Sequence, residues 1–242
     1  MKDARRSAES LGRDLAATML EELRSVVLYG SVARGEYIPR VSDINVLILL
    51  EDIEPTVLKR AAEPVRRWTR EGVAPMLLES REWERASDVF AMELLDMQDA
   101  YIVLEGEDPV AGLEVPADAL RIQAEREVRT RLARLHTGVL HAADRPLELG
   151  ALLMTALPSF VTFLRAALRL AGESVPTTAE PVIVRGLELV GAPSGGYIAS
   201  LEARRRGKPW KLGVEDPLVA AYNDAATHTA AYLDSPGREG EQ

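Results

Sequence analysis

The feature that most constrains this chain is a pair of short apolar runs joined by a polar segment that opens on glycine. Val26-Val27-Leu28-Tyr29 stops at Gly30-Ser31, and the run from Ile44 to Leu50 follows directly on Ser42-Asp43. Almost uninterrupted apolar runs of this length, rich in branched residues, read as strands covered on both faces. Both are therefore expected inside a sheet whose two faces are covered by other elements of the domain.

The rest of the first half supplies candidates for those layers. Leu11, Leu15, Met19 and Leu23 recur at every fourth position with Arg13, Asp14, Glu21 and Glu22 between them, which predicts an amphipathic helix packed on the sheet. Residues 54–70 are helical in pattern, with Pro55 in the first turn, a bend at Pro64, and Val57, Leu58, Ala61, Val65 and Trp68 on one side. Residues 73–79 form a third strand that Pro75 assigns to an edge or a bulge, and Tyr101-Ile102-Val103-Leu104 offers a fourth. This order indicates an α/β or α+β domain up to Pro116.

After Asp118 the strand-like alternation ends. Helices are expected over 120–141, 147–170 (with Pro158 inside), 180–190 and 217–233, with turn-rich connections at 191–196 and 204–213 and a frayed polar tail from Ser235. The expected organisation is two domains, 1–116 and 117–242.

Composition narrows the partners. Among 242 residues there are 29 basic and 38 acidic side chains, a formal charge of −9, so no long duplex nucleic acid is expected to bind. Cysteine is absent, which excludes disulfides, thiolate zinc sites and cysteine nucleophiles. Residues 1–24 hold no uninterrupted apolar segment of the kind a secretory signal needs. The longest apolar stretches, read at 26–28 and 46–50, are far shorter than the roughly 20 residues of a membrane span. A cytoplasmic chain with no membrane partner is the expectation.

The candidate chemistry lies between the first two strands. A strand ending in Gly-Ser and leading into a helix start brings main-chain N–H groups to a phosphate, because glycine removes the Cβ and serine adds a hydroxyl. Arg34 and Arg40 can add positive charge to such a clamp. Residues 43 and 45 are two apart on the next strand and project from one face; two carboxylates there would hold Mg²⁺ against a triphosphate.

The window Leu28-Tyr29-Gly30-Ser31-Val32-Ala33-Arg34-Gly35, seven residues, then Asp43-Ile44-Asn45-Val46-Leu47 resembles the DNA polymerase β-like nucleotidyltransferase superfamily, in its small-molecule and MNT-like branch. The pattern of that superfamily is Gly-Ser, a spacer, Asp-x-Asp, and a third carboxylate on a later strand. The resemblance implies an α+β fold, a nucleotidyltransferase-like mixed sheet flanked by helices and followed by an all-α helical bundle domain. It implies transfer of a nucleoside monophosphate from Mg-NTP to a hydroxyl of a small-molecule or protein acceptor. Gly30, Ser31, Arg34 and Ser42 would bind the nucleotide, and Asp43 would be the catalytic metal ligand with Asn45 beside it. Asn45 departs from the pattern by offering a neutral amide where the superfamily has a carboxylate. On the strand expected to carry the third carboxylate only Glu79 is acidic, with Asp88 and Glu93 as stand-ins. A catalytically inactive nucleotide- or partner-binding pseudoenzyme is thus the alternative.

Two weaker signals remain. Arg131 and His136 match the Arg-x4-His spacing of HEPN ribonucleases, which would make the chain a HEPN/MNT toxin–antitoxin-like fusion, although a solvated helix face explains the same residues. Arg204, Arg205, Arg206 and Lys208 with Trp210 offer charge and stacking to nucleic acid, or a solvated connection.

Overall fold

The structure, a computed structural model, describes residues 2–19 and 21–234, and the chain divides into two compact units, Met1–Pro116 and Ala117–Gln242. The tail from Ser235 lies outside the described residues.

In the first unit α1 (Lys2–Thr18) is followed by β1 (Leu23–Tyr29), β2 (Ile44–Leu50), α2 (Pro55–Arg70), β3 (Val73–Glu79), α3 (Ser80–Glu84), α4 (Ala91–Asp99) and β4 (Tyr101–Gly106). The strands form one mixed sheet in the order β3-β2-β1-β4, with β1 antiparallel to both neighbours and β2 parallel to β3. Parallel strands need a crossover, which α2 supplies between β2 and β3. Pro75 sits in β3, the edge strand, where proline is tolerated.

Alternation along the strands divides the core in two. Val26, Leu28, Ile44, Val46, Ile48 and Leu50 lie under Leu11, Leu15 and Met19 on one side and Val57 and Ala61 of α2 on the same side. Val27, Leu47 and Leu49 face the other way, against Trp83 of α3 and Leu94 and Met97 of α4. The four-residue period of the first helix reaches Leu23 in sequence, but α1 stops at Thr18 and Leu23 opens β1. The spacing persists because the turn keeps helical hydrogen bonds, Met19 N to Leu15 O at 2.8 Å and Leu23 N to Met19 O at 2.9 Å. In α2, Pro55 occupies the first turn as expected; Pro64 is buried, whereas Leu58 is 41 % exposed and outside the core. The short helices α3 and α4 are additions to the expected order.

The second unit contains α5 (Ala117–Ala142), α6 (Pro146–Leu170), α7 (Ala179–Val190), α8 (Gly195–Arg206) and α9 (Pro217–Asp234). Helix α6 is the hub, packed against each of the other four. By length and composition alone it is apolar enough to cross a membrane, so the short strand runs are not the longest apolar stretch of the chain. Its Leu153, Leu157, Phe160 and Leu164 are buried, and Phe160 meets Phe163, Tyr197 and Tyr222 with ring centroids 5.8–5.9 Å apart.

Helix α8 replaces what reads in sequence as the ends of two turn-rich connections. Arg204, Arg205 and Arg206 form its last turn, where cations complement the helix dipole. Arg204 donates to the Met154 carbonyl (3.0 Å), Arg205 pairs with Glu180 (2.7 Å) and Arg206 with Glu202 (2.9 Å). Arg204 is thus engaged within the protein, whereas Arg205 and Arg206 are paired at the surface and Lys208 is exposed.

Candidate functional site

The segment between β1 and β2 is a closed turn followed by a loop. Instead of the helix start expected after Ser31, residues 30–35 make one helical turn only, with Arg34 N bonded to Gly30 O (3.0 Å) and Glu36 N to Ser31 O (2.8 Å). Gly30 takes a left-handed φ of +74°, and a Cβ built there would come within 2.7 Å of the Asn45 amide nitrogen. Asn45 stands beside Tyr29 in the β1–β2 register, so its amide is laid across the start of the turn. Gly30→Ala is accordingly expected to cost about 1–2 kcal/mol, from the left-handed backbone plus a side-chain displacement, read as a lower denaturation midpoint.

The loop positions the carboxylate. Ile38 to Val41 is a four-residue turn (Val41 N to Ile38 O, 3.1 Å) with Pro39 second and Arg40 third at φ +64°, a place that favours glycine. Ser42 closes it, its hydroxyl accepting from Ile38 N at 3.2 Å and its own N–H donating to Ile38 O at 2.9 Å. Asp43 follows, exposed and with no ion pair among the described residues. Arg40 is likewise exposed and has no ion pair among the described residues. A main-chain bond from Ile44 N to Gly72 O (3.0 Å) fixes the first residue of β2 after Asp43.

Gly30, Ser31, Asp43 and Asn45 thus share one end of the sheet. Two of the sequence candidates have other duties. Ser42 is used to close the loop. Arg34 is buried, with only 5 % of its side chain exposed: Nη2 donates to the main-chain oxygen of Asp96 (2.8 Å) and lies 2.5 Å from Asp96 Oδ1. The guanidinium expected at a phosphate is committed to α4.

The third carboxylate has no counterpart on β3. Ala74 is the register partner of Asn45, followed on that face by Met76 and Leu78 beside Leu47 and Leu49. Glu79 pairs with Leu50, five positions further along, roughly 17 Å away at the rise of a strand, and on the opposite face. Its carboxylate accepts from Ile53 N (3.1 Å) ahead of α2. Asp88 lies exposed in the turn before α4, which starts only at Ala91. Glu93, on α4, faces the end of β1: burial, then Glu93 and Asp96, push the Tyr29 phenol up to about 12. Among the described residues no three His, Asp or Glu side chains gather as a metal site.

In the helical unit, α5 is regular through Arg131 and His136, so five residues separate the two side chains by about 140° around the axis. His136 Nε2 is in a 2.8 Å hydrogen bond with Asn223 Oδ1 of α9. The two side chains therefore do not share one face of α5.

Residues 15–90 match the family model of the nucleotidyltransferase domain. Among solved structures, the chain is similar to the spectinomycin adenyltransferase AAD(9) from Enterococcus faecialis, crystallised with ATP and spectinomycin. That alignment covers 97 % of this chain and 100 % of the other at 12 % identity, with a TM-score of 0.59. No curated protein matches the chain in sequence.

Proposed function

We propose that this chain, whose residues 15–90 match the nucleotidyltransferase domain, is a nucleotidyltransferase of the DNA polymerase β-like superfamily that binds a nucleoside triphosphate at the Gly30–Ser31 turn and transfers the nucleotidyl group to a hydroxyl of a small molecule, with pyrophosphate as the leaving group. The observation that carries this reading is the conjunction at one sheet end of the left-handed Gly30, the Asn45 amide across it, and the exposed Asp43, which has no ion pair among the described residues. The adenyltransferase of similar fold, crystallised with ATP and a small molecule, supports ATP as the donor and a small-molecule acceptor.

The residues fit one magnesium ion arriving with the triphosphate. Mg²⁺ is commonly held by one or two carboxylates, phosphate oxygens and water, and Asp43 with the Asn45 amide oxygen supplies the protein share. Bound there, the ion would neutralise charge on the phosphates. The residues do not fit a second ion, since Ala74 stands where a carboxylate would complete the set.

The other roles belong to the chain itself. Main-chain N–H groups of the turn approach the phosphates because Gly30 has no Cβ, and the Ser31 hydroxyl adds a donor. The exposed Arg40 supplies the cation that Arg34 does not. No side chain of β3 is placed to take the proton of the acceptor hydroxyl, so catalysis rests on positioning and charge. Slow turnover follows.

Asn45 and Ala74 together favour a second reading, a nucleotide-binding module without catalysis. Incubating the wild-type chain with Mg²⁺, ATP labelled in the α-phosphate and spectinomycin or related amino sugars separates the two: label on the acceptor supports the enzyme, and bound ATP with no transfer supports the module. Under either reading, Asn45→Asp is expected to tighten Mg-ATP binding by about tenfold, one added carboxylate being worth roughly 1.4 kcal/mol at the ion. Titration calorimetry with and without Mg²⁺ checks this, and a gain that persists without the ion would remove Asn45 from the metal site.

A further inference from the structure

Asp96 lies 62 residues from Arg34 in sequence, outside every motif of the chain, yet it is the partner of the one cation inside the Gly30–Gly35 turn. We propose that Asp96 is a positioning residue for the triphosphate, acting through Arg34 to set the turn that begins at Gly30. This rests on the nucleotide reading of that turn.

The contact is built rather than incidental. The side chains of Arg34 and Asp96 are 5 % and 17 % exposed, so the pair is shielded from water and salt. Nη2 donates one hydrogen bond, to the main-chain oxygen of Asp96 at 2.8 Å, and lies in ion-pair contact with Oδ1 at 2.5 Å, while the buried Nε and Oδ1 have no hydrogen-bond partner. One residue of α4 therefore supplies both the main-chain acceptor and the carboxylate that face this guanidinium.

Both ends of the tether are fixed. Helix α4 is anchored by buried Met92, Leu94 and Met97, the last two in the core against Val27 and Leu47. At the other end Arg34 N is hydrogen-bonded to Gly30 O (3.0 Å), so a movement of Arg34 is felt at the residue where a phosphate would approach. Tyr29, the last residue of β1, feels the Asp96 and Glu93 carboxylates, which places this stretch of α4 against the strand end from which the turn departs. Without the Asp96 charge the guanidinium is left buried and uncompensated; it must then move toward water and take the turn with it.

The test compares wild type, Asp96→Asn and Asp96→Glu in the full chain by calorimetry, with Mg²⁺ and a non-hydrolysable ATP analogue and, separately, with adenosine. A displaced turn penalises the phosphates and spares the nucleoside. Asp96→Asn is expected to bind the ATP analogue about tenfold more weakly while adenosine changes by less than about twofold, and Asp96→Glu to recover part of the loss. Equal losses for both ligands would reduce Asp96 to a structural residue and overturn the proposal. Tighter or unchanged binding of the ATP analogue would also overturn it, by showing that Asp96 withholds Arg34 from the phosphates or has no influence on them. If Asp96→Asn does not fold, Asp96→Glu, which keeps the charge and shifts it by one methylene, is judged by the same two affinities. No binding of the analogue by wild type would overturn the nucleotide reading itself, and this inference with it.

Discussion

Asp43→Ala is expected to lower nucleotidyl transfer by about 10³-fold or more, equivalent to roughly 4 kcal/mol of transition-state stabilisation. The effect is large because the site has nothing in reserve. Ala74 fills the β3 position beside Asn45, and Glu79 lies at the far end of its strand on the other face. Asp43 is then the only carboxylate of the Asp-x-Asn pair, and Asn45 can offer just a neutral oxygen. The same substitution should leave stability almost unchanged, within about 0.5 kcal/mol, since Asp43 is exposed and unpaired among the described residues. Steady-state transfer assays together with a denaturation midpoint separate the two. Turnover equal to wild type would strip Asp43 of its role.

Gly106→Ala is expected to destabilise the first unit by about 3 kcal/mol or more. Gly106 closes β4 at φ +78°, and a Cβ built there would overlap the main-chain carbonyl oxygen of Arg24. The register explains the closeness: Val26 pairs with Glu105 and Val27 with Val103, so Leu104 is an extra residue that bends β4. Beyond this bulge, Glu107 N donates to Arg24 O at 3.2 Å, and the buried Ser25 hydroxyl donates to Glu107 O at 2.8 Å. An added methyl must part β1 from β4 and forfeit those bonds. Because β1 carries Tyr29 and leads into Gly30, nucleotide affinity should fall with the denaturation midpoint. A midpoint within about 1 kcal/mol of wild type would contradict the close approach of the two strands.

Strands β1 and β2 are legible because both of their faces are buried and their apolar runs are nearly continuous. The turn at Gly30-Ser31 and the strand entrance after Asp43 are legible because both depend on residues adjacent in the chain. The edge position of β3 follows from one missing N–H at Pro75. Helix α1 is overextended by sequence since its period runs on to Leu23 through a turn that preserves helical hydrogen bonds.

What sequence conceals is long-range. Arg34 looks like a phosphate ligand because an arginine after a Gly-Ser turn has no local partner; Asp96 becomes one only when α4 packs on the sheet. Ala74 acquires its meaning only from the β2–β3 register, which sets it beside Asn45 and sends Glu79 to the far end. Helices α3 and α4 are too short, at 5 and 9 residues, for a reliable period. Arg131 and His136 form a motif by spacing, but a regular helix turns them apart.

A crystal structure of the full chain soaked with Mg²⁺ and a non-hydrolysable ATP analogue tests the central claim most directly. The expected density places the triphosphate on the main-chain N–H groups of the turn at Gly30 and Ser31, with a single ion between it and Asp43. A nucleotide bound elsewhere, or an ion that leaves Asp43 untouched, would contradict the assignment.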